Sequence, residues 1–182
     1  MDVIELPLKN GGVTLIDAHL LDTPLTYNFR DGRSGVFTIA ELNWSKRKNR
    51  NFYYAFSTTH GGLSLARLVT QCPPDCIADH QHHDTLNNAL DNLRICTIKQ
   101  NSWNTAVRYG RSQYRGVKYS PKAKHRPWIA QVNMKVNGKN TCRSVGSFAT
   151  EIEAALAWDA AVIELRGEWA NPNFPAAHGA PE

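Results

Sequence analysis

The pair Asn137–Gly138 constrains the fold more than any other feature of the sequence. Asn-Gly is preferred in two-residue hairpin turns of type I′, because both central positions need a positive φ angle. Before this pair, apolar residues occupy every second position, as in a strand with one covered face: Trp128, Ala130, Val132 and Met134. The pattern predicts an antiparallel hairpin with strands at 128–136 and 141–148, and a third strand candidate covers 114–119.

A single helix should follow this sheet. Thr150 and Glu153 have the spacing of a capping box, in which each side chain accepts a hydrogen bond from the backbone N–H of the other residue. Gly167 is a typical stop signal, so the helix should end near Leu165. Its apolar stripe is expected to pack on the sheet and consists of Ile152, Ala155, Trp158, Val162 and Leu165.

The first sixty residues have the pattern of short strands separated by turns. Strand candidates lie at 13–16, 35–39 and 51–56, and the turn-forming pairs Gly11–Gly12 and Asp31–Gly32 precede the first two. This pattern predicts a small antiparallel β subdomain.

A basic cluster precedes the last of these strands, and we expect it to lie in a loop. The cluster is Lys46, Arg47, Lys48, Asn49 and Arg50. Lys46, Arg47 and Lys48 could contact the phosphates of a nucleic acid. A run of charges is about as often only a solvated surface, so both interpretations stay open.

The middle of the chain is predicted to form two strands and a helix. The strand candidates 76–80 and 93–96 flank a polar loop. After the second strand, Thr97 and Gln100 have capping-box spacing, which predicts a helix over 98–106. The fold class is therefore α+β.

The charge of the chain is unevenly distributed. The net charge is +5, yet residues 1–104 contain as many acidic as basic residues, and residues 105–150 contain no acid. The basic residues of that acid-free segment are Arg108, Arg111, Arg115, Lys118, Lys122, Lys124, Arg126, Lys135, Lys139 and Arg143. Aromatic residues lie among them, which favours a nucleic-acid-binding surface. A solvated basic surface is the alternative.

Four polar side chains form the candidate reactive site: Asp79, His80, Asn92 and Asn101. Because Asp79 and His80 are neighbours at a strand end, their side chains point to opposite sides of the pleat. One can then hold a metal ion while the other faces a water molecule. The amide oxygen of Asn101 can complete an oxygen-rich metal site. Taken alone, an aspartate beside a histidine is more often a surface pair.

The four candidate residues lie in three segments of the sequence, Asp79–His80, Asn92–Thr97 and Gln100–Asn104. They resemble the motif of HNH (His-Asn-His) endonucleases from phages and mobile elements, over residues 60–106. The resemblance implies a ββα-metal nuclease motif that binds one divalent cation.

Carried over by position, the resemblance implies that Asp79 and Asn101 are the metal ligands and that His80 is the general base. It also implies that Asn92 orients His80 and stabilises the hairpin loop. Carboxylate and amide oxygens suit Mg²⁺ or Mn²⁺ better than zinc.

Zinc is the less favoured metal. Cys72 and Cys76 have no second cysteine pair to complete a tetrahedral site, and Cys96 would have to bend in from a strand. His82 or His83 could compete for a softer metal. Four cysteines in a chain of 182 residues predict reduced thiols rather than a disulfide scaffold.

Segments of the C-terminal half carry a second resemblance: Tyr114–Val117, Trp128–Val132, Val145–Phe148, Glu153–Ala161 and Asn173–Pro175. They are similar to the plant ethylene-response-factor (Apetala-type) DNA-binding domain, which lays a three-stranded sheet in the major groove and braces it with one helix. The candidate DNA contacts are Arg115, Lys118, Arg126, Trp128, Gln131, Asn133 and Lys135. Cys142 and Ser144 replace the family's usual arginine and tryptophan, so phosphate contacts should contribute more than base readout.

The sequence therefore predicts a metal-dependent DNA endonuclease, a nicking or homing enzyme that hydrolyses a phosphodiester of double-stranded DNA. The alternative is a non-catalytic, sequence-specific DNA-binding protein that retains an HNH scaffold. A nuclease that acts on RNA is a third possibility, which rests on the charge alone.

The predicted domains are a nuclease domain at 1–106 (β subdomain 1–60, catalytic motif 61–106), a linker at 107–112, a DNA-binding domain at 113–175 and a tail at 176–182. No apolar run approaches the roughly 18 residues of a membrane span. The first residues also lack the pattern of a signal peptide. We expect a cytoplasmic monomer, phage-encoded in a bacterial host.

Overall fold

The structure is a computed structural model that describes residues 2–104, 111–136 and 139–174. In this part of the chain, small antiparallel sheets are combined with one long helix. The chain divides into two compact units, Met1–Ser102 and Trp103–Glu182, which we name the N-terminal and the C-terminal unit. Among the described helices, none has the length and apolar character needed to span a bilayer.

The N-terminal unit is built from short strands around two small helices. The strands are β1 (Val3–Pro7), β2 (Val13–Asp17), β3 (Leu25–Asn28), β4 (Ser34–Phe37), β5 (Ser45–Asn49), β6 (Phe52–Ser57), β7 (Leu63–Ser64), β8 (Ile77–His80) and β9 (Leu93–Cys96). The helices are α1 (Leu65–Val69) and α2 (Ile98–Trp103), the latter ending at the unit boundary. The strands pair antiparallel as β1–β2, β3–β4, β5–β6–β7 and β8–β9.

The structure contains the strands expected from the turn pattern, but the prediction of a loop for the basic cluster is wrong. Ser45–Asn49 is strand β5 and pairs with β6. The ammonium groups of Lys46 and Lys48 lie 5.6 and 5.8 Å from the ring centroid of Tyr53. Long basic side chains that lie over aromatic neighbours are compatible with an edge strand, and edge strands often carry charges.

The core of the N-terminal unit joins β2, β7 and α1. Its fully buried side chains include Ile16, Ile39, Leu63, Leu65 and Leu68. Because the small sheets share this core, they form one unit rather than separate hairpins. The predicted β subdomain and catalytic motif are therefore parts of a single packed body.

Arg67 of α1 is a buried residue that the sequence analysis did not single out. Its guanidinium donates to the backbone oxygens of Cys76 (2.8 Å), Pro73 (2.9 Å), Cys72 (3.1 Å) and Asn28 (3.2 Å), and to Cys72 Sγ (3.4 Å). These bonds fix the turn that leads into β8. Arg67 therefore stabilises the segment that precedes the candidate site, but it is not part of that site.

The C-terminal unit is a three-stranded antiparallel sheet packed on one helix. Its elements are β10 (Val117–Tyr119), β11 (Trp128–Val136), β12 (Lys139–Phe148) and α3 (Glu151–Arg166), with the strands in the order β10–β11–β12. The predicted turn residues 137–138 lie outside the described residues. The strands on either side place Val136 opposite Lys139, as a two-residue hairpin requires.

The capping box of α3 is confirmed. The Glu153 N–H donates to Thr150 Oγ1 at 3.2 Å, and the Thr150 N–H donates to Glu153 Oε2 at 3.1 Å. Gly167 follows the helix with φ of 56°. Local sequence was sufficient to predict both ends.

The predicted apolar stripe of α3 is only partly correct. Ala155, Trp158 and Val162 are buried, whereas Ile152 and Leu165 are 54% and 37% exposed. The sheet covers only the middle turns of this 16-residue helix, so the two ends of the stripe remain in solvent. Helical spacing selects a face but does not determine how much of it is covered.

Gly116 allows the helix to approach the sheet. It has φ of +71°, and a Cβ atom at this position would lie 1.8 Å from Nε1 of Trp158. The indole of Trp158 therefore packs directly on the backbone of the chain before β10. A residue with a side chain would have to displace the helix.

The boundary between the units lies earlier than the sequence predicts. Arg166 lies 5.3 Å from the ring centroid of Trp103, and Asn171 Nδ2 donates to Asn104 Oδ1 at 2.7 Å. These contacts assign Trp103 and Asn104 to the C-terminal unit. Of the predicted linker, residues 107–110 lie outside the described residues, and Ser112 is buried and donates to Glu151. The predicted tail, 176–182, also lies outside them.

Candidate active site

The β8–β9 hairpin holds Asp79 and His80. In the strand register, Asp79 is opposite Arg94 and His80 is opposite Leu93. The two residues are only 8% and 6% exposed. An ionisable pair is seldom buried at the end of a hairpin unless other polar groups bond to it, so the partners of each side chain are decisive.

Asp79 has an ion-pair partner on the neighbouring strand. Arg94 Nε donates to Asp79 Oδ2 at 3.1 Å, and both side chains are largely shielded from water. The cross-strand arrangement fixes the orientation of the carboxylate. Asp79 therefore offers a preoriented oxygen donor set.

His80 is held by Asn88 of the loop between β8 and β9. The hydroxyl of Thr14 donates to the Leu86 carbonyl at 2.6 Å, so its oxygen accepts from Asn88 Nδ2 at 2.8 Å. The amide oxygen of Asn88 consequently faces His80 Nε2 at 3.2 Å. Since this oxygen can only accept, Nε2 of the neutral imidazole carries the proton and Nδ1 holds the lone pair.

Strand β2 determines where Asn88 lies. The Leu15 N–H donates to the Leu86 carbonyl at 2.9 Å, and the Asn88 N–H donates to the Leu15 carbonyl at 2.8 Å. The Leu90 N–H donates to the carboxylate of Asp17 at 2.8 Å. The loop is thus fastened to a strand more than seventy residues earlier in the chain.

The environment of His80 favours its neutral form. Burial lowers the pKa of the imidazole below its usual value, while the bond to Asn88 and the charges of Asp79 and Asp84 act in the opposite direction. Burial has the largest effect because it penalises the charged ring. A neutral imidazole with a fixed tautomer can accept a proton at Nδ1.

Asn92 stabilises the loop rather than the histidine. Its Nδ2 donates to the carbonyls of Asp84 (2.9 Å) and Asn87 (2.7 Å), and its Oδ1 lies 3.1 Å from the backbone nitrogen and 3.0 Å from Nδ1 of His82. The resemblance implies that Asn92 orients His80, but Asn88 makes that contact. The second asparagine of the pair Asn87–Asn88 was the available signal in the sequence.

Asn101 lies in helix α2, directly after the hairpin. The predicted cap of this helix is confirmed, since the Thr97 N–H donates to Gln100 Oε1 at 2.8 Å and the Gln100 N–H donates to Thr97 Oγ1 at 3.2 Å. Asn101 is half-buried, and its N–H donates to the Thr97 carbonyl at 2.9 Å. The chain thus supplies Asp79, His80 and Asn101 from consecutive elements of one unit.

Tyr54 of β6 is a site residue that the sequence analysis missed. Its ring centroid lies 6.0 Å from that of His80, with the rings tilted by 59°. Burial and then the charge of Asp79 raise the pKa of Tyr54, whereas Arg50 lowers it. Its position within the aromatic run that follows the basic cluster was the signal that could have drawn attention to it.

Four candidate DNA contacts share the open face of the C-terminal sheet. The strand register places Lys118 opposite Ile129, Gln131 opposite Ser144, Asn133 opposite Cys142 and Lys135 opposite Asn140. Ala130 and Val132 are buried on the opposite face, against α3. Arg126, which precedes β11, is exposed. These side chains form a polar and basic surface, which we name the open sheet face.

Arg115 and Trp128 do not belong to the open sheet face. Arg115 is half-buried, and its Nη2 donates to Asn171 Oδ1 at 2.7 Å while its backbone N–H donates to Asn173 Oδ1 at 2.7 Å. Trp128 packs against the helix-side core and lies 4.9 Å from the ring of Tyr119. The prediction that these two side chains face DNA is therefore not met, because each packs against other residues of the C-terminal unit.

No model of a known protein family matches the chain. Over 169 residues, the chain is 26% identical to a protein of Acanthamoeba polyphaga mimivirus that is named an uncharacterized HNH endonuclease. The matched region covers 86% of this chain and 85% of the relative. This similarity over most of both chains supports an HNH endonuclease family for the protein.

Proposed function

We propose that this protein is a metal-dependent endonuclease that hydrolyses phosphodiester bonds of double-stranded DNA. The observation that carries the proposal is the buried His80, whose Nε2 lies 3.2 Å from the amide oxygen of Asn88. The similarity to a protein named an HNH endonuclease supports the same reaction class. DNA as the substrate rests on the basic C-terminal unit and on the two sequence resemblances.

His80 is the proposed general base. Its neutral imidazole accepts a proton from a water molecule at Nδ1, which makes that water a stronger nucleophile. The resulting imidazolium is stabilised by Asn88 Oδ1 at one end of the ring and by the negative charges of Asp79 and Asp84 nearby. Because Asn88 is fastened to Thr14, the ring need not reorient during the reaction.

Asp79 and Asn101 are the proposed metal ligands. Their carboxylate and amide oxygens suit a hard cation such as Mg²⁺ or Mn²⁺. In the described part of the chain, no three His, Cys, Asp or Glu side chains form a metal-binding group, and the proposed pair combines one carboxylate with one amide. When bound, the cation would supply Lewis-acid stabilisation of the phosphate and of the leaving oxygen.

Zinc fits the neighbouring cysteines less well. The thiol of Cys72 is buried and contacts Arg67 and the Pro73 carbonyl. Burial raises the pKa of Cys96 to about 11. A thiol must lose its proton to bind zinc, and both groups resist that loss.

The open sheet face is the proposed surface for duplex DNA. Among the described basic residues of 105–150, all are exposed except Arg115. Exposed cations bind phosphates without the cost of desolvating a buried charge, and their contribution falls as salt rises.

We further propose a nicking or homing enzyme that acts as a monomer inside a host cell and is encoded by a phage.

Cleavage of supercoiled plasmid in the presence of Mg²⁺ tests the proposal. We expect the wild type to produce nicked or linear DNA, and His80→Ala to lose at least about a hundredfold in rate because the general base is removed. His19→Ala is the matched control, since His19 is exposed and distant in sequence from the site. Equal cutting by His80→Ala and the wild type would contradict the assignment of His80.

The same assay separates the alternative function. A non-catalytic DNA-binding protein would bind duplex DNA in a salt-sensitive manner and leave the plasmid intact with Mg²⁺, Mn²⁺ or Zn²⁺. Such a result would refute the endonuclease proposal and retain the role of the C-terminal unit.

A further inference from the structure

The β5–β6 hairpin presents two different faces. In its register, Arg47 is opposite Tyr54, and Lys48 is opposite Tyr53. Directly opposed residues of an antiparallel pair share a face, and successive residues alternate between faces. Arg47 and Tyr54 therefore lie on one face, whereas Lys48 and Tyr53 lie on the other.

The face of Tyr54 adjoins the candidate active site. The Tyr54 ring is 6.0 Å from His80, and the guanidinium of Arg47 lies 5.1 Å from the ring centroid of Phe56 on the same face. Arg50 lies in the turn of the hairpin, and its charge lowers the pKa of Tyr54 against the larger opposing effects of burial and Asp79. Both arginines are exposed.

The loop after His80 offers a bound phosphate no Lys or Arg, and its only basic side chains are those of His82 and His83. Residues 81–92 contain the acids Asp84 and Asp91 and neither Lys nor Arg. Arg94, the basic residue that follows the loop, pairs with Asp79. A phosphate beside His80 would therefore meet no Lys or Arg on the loop side, and a fixed positive side chain for it would have to come from another element.

We propose that the face of the β5–β6 hairpin with Arg47 and Tyr54, together with Arg50 of the hairpin turn, binds phosphates of the cut strand next to His80. The inference rests on the proposed nuclease function and deepens it. Arginine suits this task, because its planar guanidinium can donate two parallel hydrogen bonds to phosphate oxygens. Tyr54 is the residue of this face whose ring lies 6.0 Å from the imidazole. The opposite face, with Lys46 and Lys48 over Tyr53, adds only general attraction for DNA.

Two double variants of the full chain provide a matched test. Arg47→Gln/Arg50→Gln removes two charges from the Tyr54 face and the hairpin turn, and Lys46→Gln/Lys48→Gln removes two from the Tyr53 face. Glutamine keeps much of each side-chain stem. Single-turnover nicking of supercoiled plasmid with Mg²⁺ gives the rate at saturating protein, and binding without divalent cation gives the affinity.

We expect the arginine pair to lose at least about tenfold in the rate at saturation, because contacts beside the reacting phosphate act on the transition state. The lysine pair should chiefly weaken binding. Lys9→Gln, an exposed charge elsewhere in the same unit, should leave both quantities near their wild-type values. Circular dichroism melting of each variant checks that it is folded.

Equal losses in the two double variants, or a loss of affinity alone in the arginine pair, would overturn the inference. Wild-type behaviour of the arginine pair would overturn it as well. If His80→Ala cuts as fast as the wild type, the nuclease assignment itself fails, which distinguishes the two proposals.

Discussion

The N-terminal unit buries ionisable groups, whereas the C-terminal unit exposes nearly all of its own. Arg67, Asp79 and His80 are buried in the first unit, and each has hydrogen-bond partners within it. Among the described ionisable residues of the second unit, Asp159 is the buried exception, and it accepts from the backbone N–H groups of Asn173 and Phe174. The two units thus use charge for different purposes.

The difference separates two physical requirements. A general base must be desolvated and fixed in orientation, which needs buried polar partners. A surface that binds phosphates needs only accessible cations, which remain effective in water. Changes at the buried polar groups around His80 should therefore alter rate, and changes on the open sheet face should alter affinity and its salt dependence.

Among residues that support His80, the largest effect should come from Asn88. Replacing it with alanine removes the acceptor of His80 Nε2 and the donor to Thr14, so the tautomer and orientation of the ring are lost. We expect the cleavage rate to fall by up to about a hundredfold with DNA affinity unchanged. Plasmid nicking and a binding assay measure the two quantities.

Asn43→Ala, at an exposed position, is the control for Asn88→Ala. If Asn88→Ala lost DNA affinity and kept the wild-type cleavage rate, the assignment of catalysis to the N-terminal unit and of DNA binding to the open sheet face would be wrong.

Gly116 tests the packing of the C-terminal unit. Gly116→Ala forces a methyl group into Trp158, and we expect a loss of about 3 kcal/mol in the free energy of unfolding. Thermal and urea denaturation would measure it. Gly167→Ala is the matched control, because Gly167 also has a positive φ but no atom lies within 4 Å of its Cβ position. A similar loss in both variants would show that the backbone angle, rather than the contact with Trp158, is responsible.

Tyr54 distinguishes a positioning role from general packing. Tyr54→Leu removes the ring beside His80, and we expect about a tenfold lower rate at saturating DNA. Tyr54→Phe keeps the ring and should restore most of the rate. Single-turnover nicking provides the measurement. Tyr53→Leu, on the other face of the hairpin, should lose less; an equal loss would remove the special role of Tyr54.

The open sheet face should produce a change in salt dependence. Lys118→Gln/Lys135→Gln removes two exposed cations, and the slope of log affinity against log salt should become shallower by about 1.8. Fluorescence anisotropy with a labelled duplex at several salt concentrations measures the slope. An unchanged slope would mean that these lysines do not contact phosphates.

The cysteines extend the comparison of the two units to uncharged side chains. This test has the smallest expected effect on the function of the protein. Burial raises the pKa of Cys72 and Cys96, the latter to about 11, so little thiolate exists there at pH 8. Cys142 is exposed. We expect iodoacetamide to modify Cys142 long before the other two, as followed by peptide mass spectrometry. Equal labelling of all three in the native protein would contradict the burial.

Local patterns predicted the parts of the fold that depend on neighbours in sequence. The capping boxes at Thr97 and Thr150, the hairpin strands of the C-terminal unit and the strand that ends in Asp79 and His80 were all predictable. Each depends on residues that are few positions apart, so composition and spacing carry enough information.

Contacts between distant segments were not predictable in the same way. Asn88 faces His80 because Thr14 fixes its amide, and no local pattern links these positions. Arg115 turns away from the open sheet face because Asn171 and Asn173 accept its hydrogen bonds. Exposure of Ile152 depends on where the sheet ends beneath α3. Such features follow from tertiary packing, which periodicity does not specify.

The attachment of Asn88 to strand β2 also determines the shortest fragment of the chain that could keep the geometry of the site. A fragment limited to the segment that resembles the HNH motif, 60–106, would carry His80 and Asn88 but lack Thr14 and Leu15. The loop 81–92 would lose the hydrogen bonds that position Asn88, and the tautomer of the His80 imidazole would no longer be fixed. A fragment built to carry this site must therefore include strand β2 together with the motif, so the segment that preserves the geometry is longer than the segment that carries the resemblance.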